Sequence, residues 1–251
     1  MTKLGTQALA LMLVFSIVGC ADEAEESEFD ENLSEAYEEL LNDDGSADSA
    51  RCSGVVVPDR GPFNGRIALT FDDGPHMTNT LRVLEILAAH NAPATFFING
   101  KVVRGDEQRE LLQEMVEAGH FVANHTTNHP NSARLSESAF RSEVDDTHGI
   151  VAELEQSSLY FRFPYGSSNC MTADVVREYG YHIVGWHIDT ADWCFGSGTG
   201  GVGYCDPRTF AHVPDSYRND YIGFTEYQLG RTNGGVLLMH DVHAYTVNQL
   251  D

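Results

Sequence analysis

The feature that most constrains the fold is an alternation of short apolar runs with amphipathic stretches, which starts at Arg66. Short apolar runs bounded by turn residues indicate strands, and apolar residues three or four apart indicate helices. Their alternation predicts a mainly parallel sheet, open or closed into a barrel. The expected strands are 67–71, 94–98, 121–123, 160–163, 182–188 and 236–239, and the expected helices are 81–87, 107–118, 138–155 and 173–179.

Composition limits the number of domains and the class of partner. A chain of 251 residues with 42% hydrophobic residues allows one substantial domain, which we expect to span 51–251. The net charge of -23 argues against a nucleic-acid partner, because phosphate binding requires clustered Lys and Arg. Residues 21–50 contain thirteen acidic residues and no Lys or Arg, so 20–50 is predicted to be a disordered linker. The sequence does not indicate an oligomeric state.

The N-terminal residues have the features of an export signal. Lys3 precedes an apolar run over 8–18 that is too short to span a bilayer and fits a signal peptide of residues 1–19. The run ends in the sequence IVGC, which resembles a bacterial lipobox and implies lipidation of Cys20. We therefore expect an exported bacterial membrane lipoprotein on the periplasmic or cell-surface face. An ordinary secretion signal is the alternative.

Four further cysteines, an even number, suggest disulfides in an exported protein. Four cysteines allow three pairings. A bond between Cys194 and Cys205 would close a Gly-rich loop, so we expect that pair together with Cys52–Cys170. Free thiols are the alternative, and no CxxC spacing supports a thiolate zinc site.

Five short segments fall at or just beyond the ends of predicted strands, where α/β barrels carry their chemistry. Together they offer a metal site of three ligands, a general base and a general acid, which is the equipment for metal-assisted hydrolysis of an acyl group. They are TFDDGP at 70–75, HTTNH at 125–129, RFPY at 162–165, DW at 192–193 and LMH at 238–240.

The residue types themselves indicate a metal centre. His125 and His129 are four residues apart, which on a helical turn would put both imidazoles on one face. Of the adjacent carboxylates Asp72 and Asp73, one can bind a metal while the other accepts a proton. Two histidines and one carboxylate leave a coordination position for water. Zn²⁺ is the first choice, and Co²⁺, Mn²⁺ or Ni²⁺ suit the same donors.

The five segments resemble the motifs of the polysaccharide deacetylase family, the NodB-homology domain of carbohydrate esterase family 4. The resemblance covers about residues 66–243, and the segments 94–97 and 117–120 also match the family. It implies an α/β fold, a distorted (β/α) barrel. Family members usually continue through another helix and strand that close the barrel, so a chain that stops at Asp251 is expected to be either a fragment or an unusually short member without its last helix and strand. Residues 246–250 would begin that helix.

The resemblance implies roles for the residues that bind the metal and take the proton. Asp73, His125 and His129 would be the metal ligands. Asp72 would be the general base, and Arg162 would hold it ionised and oriented.

The same resemblance implies how substrate is bound. The backbone N–H of Tyr165 would donate to the oxyanion. Trp193 and Leu238 would line the pocket for the acetyl group.

The general acid is implied in the same way. His240 would donate the proton, with Asp192 to orient and charge it. Asp189 is the rival to Asp192, because it lies near the same strand end.

The implied function is metal-dependent removal of N-acetyl groups from a polysaccharide that contains N-acetylglucosamine, such as peptidoglycan, a chitin-like polymer or poly-N-acetylglucosamine. Amide and ester hydrolysis need the same site, so an O-acetyl esterase acting on acetylated xylan or another glycan is an alternative. A catalytically inactive glycan-binding lipoprotein is another. We expect residues 194–233, rich in Gly, Tyr and Asp, to form a long disulfide-tied loop that selects the substrate.

Overall fold

The computed structural model describes Cys52 and residues 63–197 and 200–251, and there the predicted alternation of strands and helices is confirmed. Seven strands form one sheet in the order β5-β4-β3-β2-β1-β7-β6, with every neighbouring pair parallel. The strands are β1 (Ile67–Asp72), β2 (Ala94–Ile98), β3 (Phe121–Asn124), β4 (Tyr160–Phe161), β5 (His182–Ile183), β6 (Ile188–Asp189) and β7 (Gly235–His240). The helices are α1 (Asn79–Ala89), α2 (Asp106–Glu117), α3 (Glu137–Val151), α4 (Cys170–Glu178), α5 (Asp192–Ser197), α6 (Tyr221–Thr232) and α7 (Ala244–Gln249).

The central strand β1 brings two of the motifs side by side. It pairs with β7 along its whole length, from Ile67 opposite Gly235 to Asp72 opposite His240. Register partners on neighbouring strands point to the same face of a sheet. Asp72 and His240 therefore share one face, at the carboxyl ends of both strands.

The other face of β1 contributes to the hydrophobic core. The Phe71 ring stacks on the ring of Phe96 from β2, with centroids 5.2 Å apart. Val83, Leu112 and Phe140, from α1, α2 and α3, belong to the same buried cluster. Burial of a side chain of this kind contributes about 1.5–3 kcal/mol relative to exposure. The core therefore fixes the helices against the strands whose ends carry the motifs.

The prediction of one strand over 182–188 is wrong, because the segment forms two short strands at opposite edges of the sheet. The N–H of Val184 donates to the Phe161 oxygen of β4, and that of His187 donates to the Val236 oxygen of β7. Residues 184 to 187 can span at most about 10 Å. The strands from β4 to β7 would cover about 19 Å if the sheet were flat. The sheet is therefore curled, and the expected distorted barrel is confirmed.

The expectation of one long loop over 194–233 is only partly correct, because its second half contains the helix α6. Asp220 caps this helix by accepting a hydrogen bond from the Gly223 N–H, and Asn233 ends it in a left-handed conformation. The region has its own buried cluster, separate from the main core. That cluster consists of Ala191, Cys194, Phe195, Cys205, Val213, Tyr221 and Phe224.

Both expected disulfides, Cys52–Cys170 and Cys194–Cys205, are present. The helix expected over 246–250 is confirmed as α7, which begins two residues earlier.

The predicted signal peptide (1–19), the predicted lipidation of Cys20 and the predicted linker (20–50) fall outside the residues that the structure describes, so they and the boundary at 51 stay predictions. Across the described ranges, no helix combines the length and apolar character needed to cross a bilayer.

Candidate functional site

Asp72 ends β1 and Asp73 follows it, and their carboxylates approach the same imidazole from different environments. Asp72 is 3% exposed, and its Oδ1 accepts a hydrogen bond of 2.6 Å from Arg162 Nη1. Asp73 has a φ of 76°, a left-handed conformation that is uncommon for residues other than glycine. This conformation interrupts the alternation of the strand. As a result His125 Nε2 lies 3.5 Å from Asp72 Oδ2 and 3.8 Å from Asp73 Oδ1.

His125 and His129 come together in a loop, so the predicted helical turn is wrong. Thr126 and His129 both have positive φ, at 66° and 59°. Asn124 Oδ1 accepts a hydrogen bond from the Thr126 N–H, and Thr126 Oγ1 accepts one from the His129 N–H. The two imidazole centroids are 5.0 Å apart. The pair is thus correct, although hydrogen bonds of an irregular loop and not helical geometry bring it together.

Asp73, His125 and His129 each direct one potential ligand atom toward a common point. The three atoms lie within 4.8 Å of one another, and Asp73 Oδ1 is 3.4 Å from His129 Nε2. His125 Nδ1 lies 2.8 Å from the backbone oxygen of Arg162. Since a carbonyl oxygen only accepts, Nδ1 is the donor, and Nε2 is the nitrogen that faces the two carboxylates. Two imidazole nitrogens and a carboxylate oxygen fit Zn²⁺ or a similar divalent metal.

The charges around this cluster favour a bound cation. Burial alone would raise the pKa of Asp73, but the neighbouring histidines, first of all His125, lower it. Burial lowers the pKa of His129 to about 4, in spite of the opposing charge of Asp73. At neutral pH Asp73 is therefore ionised and His129 neutral, which are the states that bind a metal.

Arg162 lies beside Asp72, as the family resemblance implied, and it is fully buried. Its Nε donates to the Val184 oxygen and its Nη2 to the Gly185 oxygen, in the segment that closes the barrel. Its guanidinium carbon lies 4.0 Å from the centroid of the Phe97 ring. A buried cation needs a compensating charge, and Asp72 supplies it. The contacts fix Arg162 from three sides, and Arg162 in turn fixes one oxygen of Asp72.

His240 forms a tightly bonded pair with Asp192. His240 Nδ1 lies 2.8 Å from Asp192 Oδ1, and the backbone N–H of His240 donates to Asp192 Oδ2. Thr246 Oγ1 donates to the same Oδ2 at 2.7 Å. Burial would lower the pKa of His240, but the charge and hydrogen bond of Asp192 raise it to about 10. The raised pKa favours the protonated form of His240, which has a proton to donate.

Asp189 makes different contacts, although it lies near the same strand end. Its Oδ1 accepts a hydrogen bond of 2.8 Å from the Ala191 N–H, and burial raises its pKa. The side chain of Trp193 also hydrogen-bonds to it. Of the two rivals, Asp192 is the one that holds the His240 ring.

The three residues predicted to contact substrate lie near these groups. The Tyr165 side chain is 68% exposed, and its ring packs edge-on against His129 at 4.5 Å. Leu238 is buried two residues before His240, on the same face of β7. Trp193 is half-buried, with its ring 5.0 Å from that of Phe210. Their roles in binding the oxyanion and the acetyl group stay predictions.

Unusual backbone conformations concentrate at this site. Among the described non-glycine residues, three asparagines have positive φ, which is comparatively common for asparagine. Five other residues share this conformation, and all belong to or adjoin the motifs. They are Asp73, Thr126, His129, Tyr165 and Ala191. Such conformations cost about 1–3 kcal/mol each and persist where surrounding contacts determine them, as at functional sites.

Sequence reasoning missed Asn99 and Asn124. Asn99 is 3% exposed and donates from Nδ2 to Asp73 Oδ1 at 2.9 Å. Asn124 is fully buried and orders the loop that carries both histidines. Asn124 ends β3, and Asn99 directly follows β2. The signal that identified the five motifs, polar residues at the ends of parallel strands, would have identified these two as well.

Comparison with known proteins shows which family this chain resembles. A family model described as "Polysaccharide deacetylase" matches residues 61–184. The peptidoglycan-N-acetylglucosamine deacetylase of Listeria monocytogenes is 33% identical over 204 residues, which are 79% of this chain and 38% of that protein. This chain therefore spans well under half the length of that relative.

Two solved structures resemble this fold. A family 4 carbohydrate esterase from Streptomyces lividans, in complex with acetate, is 31% identical, with 74% of this chain and 83% of that chain covered and a TM-score of 0.57. A protein of Bacillus anthracis described as a CE4 family pseudoenzyme is 25% identical, with 76% and 59% covered and a TM-score of 0.57. The similarity thus includes both an esterase and a protein described as a pseudoenzyme.

Proposed function

The chain belongs to the polysaccharide deacetylase family, and on this premise we propose that it removes N-acetyl groups from a polysaccharide that contains N-acetylglucosamine. Peptidoglycan, chitin-like polymers and poly-N-acetylglucosamine are the candidate substrates. One observation carries the proposal: three potential metal ligands, a buried carboxylate and an imidazole with a raised pKa lie at or just beyond the carboxyl ends of β1, β3 and β7. Each of the three groups has a role in amide hydrolysis.

The donor set supports a bound Zn²⁺, and Co²⁺, Mn²⁺ or Ni²⁺ would suit the same ligands. Bound there, the cation would lower the pKa of a water molecule and polarise the acetyl carbonyl. Asp73, His125 and His129 would hold it and leave a position for water and substrate.

Asp72 is suited to accept the proton of the attacking water. Arg162 holds its Oδ1, while Oδ2 points toward the ligand cluster, 3.5 Å from His125 Nε2. A carboxylate fixed through one oxygen can accept a proton on the other without losing its orientation.

His240 is suited to act as the acid when the C–N bond breaks. An amine leaves poorly unless its nitrogen is protonated, and Asp192 keeps a proton on His240 at neutral pH. Transfer of that proton to the nitrogen would release the amine sugar and acetate. The Tyr165 N–H would donate to the oxyanion, and one such donor is worth about 3 kcal/mol in comparable sites.

A proton retained on His240 is more important for the amide than for the ester. An alkoxide leaves more easily than an amine, so an O-acetyl ester depends less on a strong proton donor. The esterase alternative uses the same groups, and the Streptomyces lividans relative is described as an esterase. An inactive glycan-binding protein would not need the paired Asp72 and His240, both of which have their partners here.

We also propose that the protein is exported and held at a bacterial membrane by a lipid on Cys20, on the periplasmic or cell-surface face. The apolar run over 8–18 and the IVGC sequence support this. A flexible linker of about 30 residues would have a reach on the order of 30 Å, enough to place the barrel on polymer above the bilayer. Mass spectrometry of the membrane-extracted protein tests the proposal, and an unmodified Cys20 would contradict it.

Acetate release tests the proposed activity. The zinc-loaded protein would be given N-acetylated chito-oligosaccharides, peptidoglycan and acetylated xylan, with Asp72→Asn as the control. We expect the protein to release acetate from the chito-oligosaccharides or from peptidoglycan. A chelator should abolish this release, and the variant should show none. Release from xylan alone would favour the esterase, and no release by folded, zinc-loaded protein would contradict the proposal.

A further inference from the structure

The turn formed by Asn99, Gly100 and Lys101 lies between the two loops that carry the proposed metal ligands. On one side the Asn99 N–H donates to the Gly74 oxygen, one residue after Asp73. On the other side the N–H groups of Gly100 and Lys101 donate to the oxygens of residues 126 and 127. The turn is therefore hydrogen-bonded both to the loop with the carboxylate and to the loop with the two imidazoles.

The helix α3 packs closely against this turn. A Cβ atom placed on Gly100 would lie 2.3 Å from Thr147 Oγ1 of α3 and 3.3 Å from Thr127 Oγ1. Those two hydroxyl oxygens are themselves 3.0 Å apart. The turn therefore packs on α3 with no space to shift inward, and it can serve as a fixed reference for the loops on either side.

The Asn99 side chain extends the connection to a ligand atom. Its Nδ2 lies 2.9 Å from Asp73 Oδ1 and 3.5 Å from the Asp73 backbone oxygen. Both of these oxygens belong to Asp73, and only the NH₂ group of the Asn99 amide can donate to them, so the orientation of the amide is defined. Asp73 Oδ1 is also the atom that lies 3.4 Å from His129 Nε2. The amide therefore acts on the oxygen that faces the imidazoles.

Asn99 Oδ1 shows what this orientation costs. It is buried and has no hydrogen-bond partner within the described ranges. An unsatisfied buried polar atom is unfavourable by about 1–3 kcal/mol, so an apolar residue here would suit the packing better. The presence of asparagine at this position is explained if the hydrogen bond from its NH₂ group to the Asp73 carboxylate is required.

We propose that Asn99 is a positioning residue for the metal centre: it fixes the Asp73 carboxylate relative to His125 and His129 and so sets the affinity for the metal. Asn99 is not itself a ligand, because its NH₂ group faces the cluster. Without it, the carboxylate would have to lose rotational freedom when the metal binds, and affinity would fall. The inference rests on the metal site of the proposed function, although not on the substrate or the reaction.

The test is the dissociation constant for Zn²⁺, measured by chelator competition on the metal-free full-length protein without substrate. Asn99→Leu removes the donor at similar volume, and Asn99→Ala removes it with a smaller side chain. Asn248→Leu makes the same change on the exposed face of α7, where Asn248 accepts a hydrogen bond only from Arg82 among the described contacts. We expect both Asn99 variants to bind Zn²⁺ about 10–100-fold more weakly, as is typical when an outer-shell partner is lost, and Asn248→Leu to match the wild type.

A readout at saturating metal separates positioning from loss of structure. If Asn99 only positions Asp73, excess Zn²⁺ should return most of the activity, and far-UV circular dichroism of the metal-free variants should match the wild type. Asn99 variants that fold and bind Zn²⁺ within twofold of the wild type would overturn the inference. If neither variant folds, NMR of the wild type decides: Zn²⁺ must shift the Asn99 side-chain amide and not that of Asn248. Wild-type protein that binds no Zn²⁺ would instead refute the metal site itself.

Discussion

The two halves of the barrel contribute to the site in different ways. Residues 63–184 form regular strand–helix units, and they supply the proposed metal ligands and the Asp72–Arg162 pair. Residues 185–251 contain one long strand, an irregular segment with a disulfide and a small cluster of their own, and they supply the His240–Asp192 pair. The strand–helix topology thus brings the ligand motifs to one edge of the sheet, whereas Asp192, which holds the proposed acid His240, adjoins an irregular segment that has its own buried cluster.

The comparison suggests that the two halves can be disturbed independently. Changes in the first should alter metal binding or the base, and changes in the second should alter proton donation while metal binding is kept. The predictions below are arranged by the size of the expected effect.

The largest effect is expected for Asp72→Asn, in the first half. Asparagine keeps the size and the contact with Arg162 but cannot accept the proton, so acetate release should fall by about 10³-fold. Zn²⁺ affinity should stay within about threefold, because Asp72 is not assigned as a ligand. The measurement is kcat with zinc-saturated protein, and a variant that keeps full activity would refute the assignment of the base.

A smaller and more selective loss is expected for His240→Ala, in the second half. Hydrolysis of the N-acetyl amide should fall by about 10²-fold, because the amine leaves without a proton donor. An activated aryl acetate, whose leaving group needs no proton, should lose only about threefold. Equal losses on the amide and on the ester would contradict the acid role.

Asp192→Asn should change the pH dependence more than the maximal rate. Asp192 raises the pKa of His240, so its charge keeps the acid protonated at pH values where free histidine is neutral. The protonated form is active below the pKa of His240 and is lost as pH rises through it. Without the carboxylate that pKa falls, and the alkaline limb of the rate profile should move toward neutral pH by at least about one unit. An unmoved alkaline limb would show that Asp192 does not act through His240.

The smallest effect on chemistry is expected when Cys194 and Cys205 are both replaced by Ser. The disulfide closes a sequence separation of 11 residues, for which chain entropy predicts a loss of about 2–3 kcal/mol in the free energy of unfolding. Denaturant titration measures this loss. Zn²⁺ affinity should stay within twofold, because all three ligands lie in the other half. A large loss of affinity would show that the two halves are not independent.

The same contrast explains how much could be predicted from sequence. The strand–helix rhythm placed the ligand motifs at strand ends, where Asp73, His125 and His129 are indeed found together. It failed where tertiary structure overrides local pattern: one apolar run over 182–188 is divided between opposite sheet edges, and α6 lies in a segment without clear periodicity.

The details of the ligand loops were also beyond sequence reasoning. The positive φ of Thr126 and His129 depends on the hydrogen bond that the Thr126 N–H donates to Asn124 and on one within the loop, not on helix propensity. Asn99 acts through an atom of Asp73 that lies 26 residues away in the chain. Such contacts form only when the tertiary structure brings the strand ends together, and the spacing of residues along the chain does not predict them.

The measurement that tests the central claim most directly is acetate release from peptidoglycan and chito-oligosaccharides as Zn²⁺ is added back to chelator-treated protein. If the two halves form one metal-dependent deacetylase site, release should begin from zero and saturate at about one equivalent of Zn²⁺. Asp72→Asn should bind the same equivalent and release almost no acetate. Release that persists without metal, or that is equal in the variant, would contradict the account.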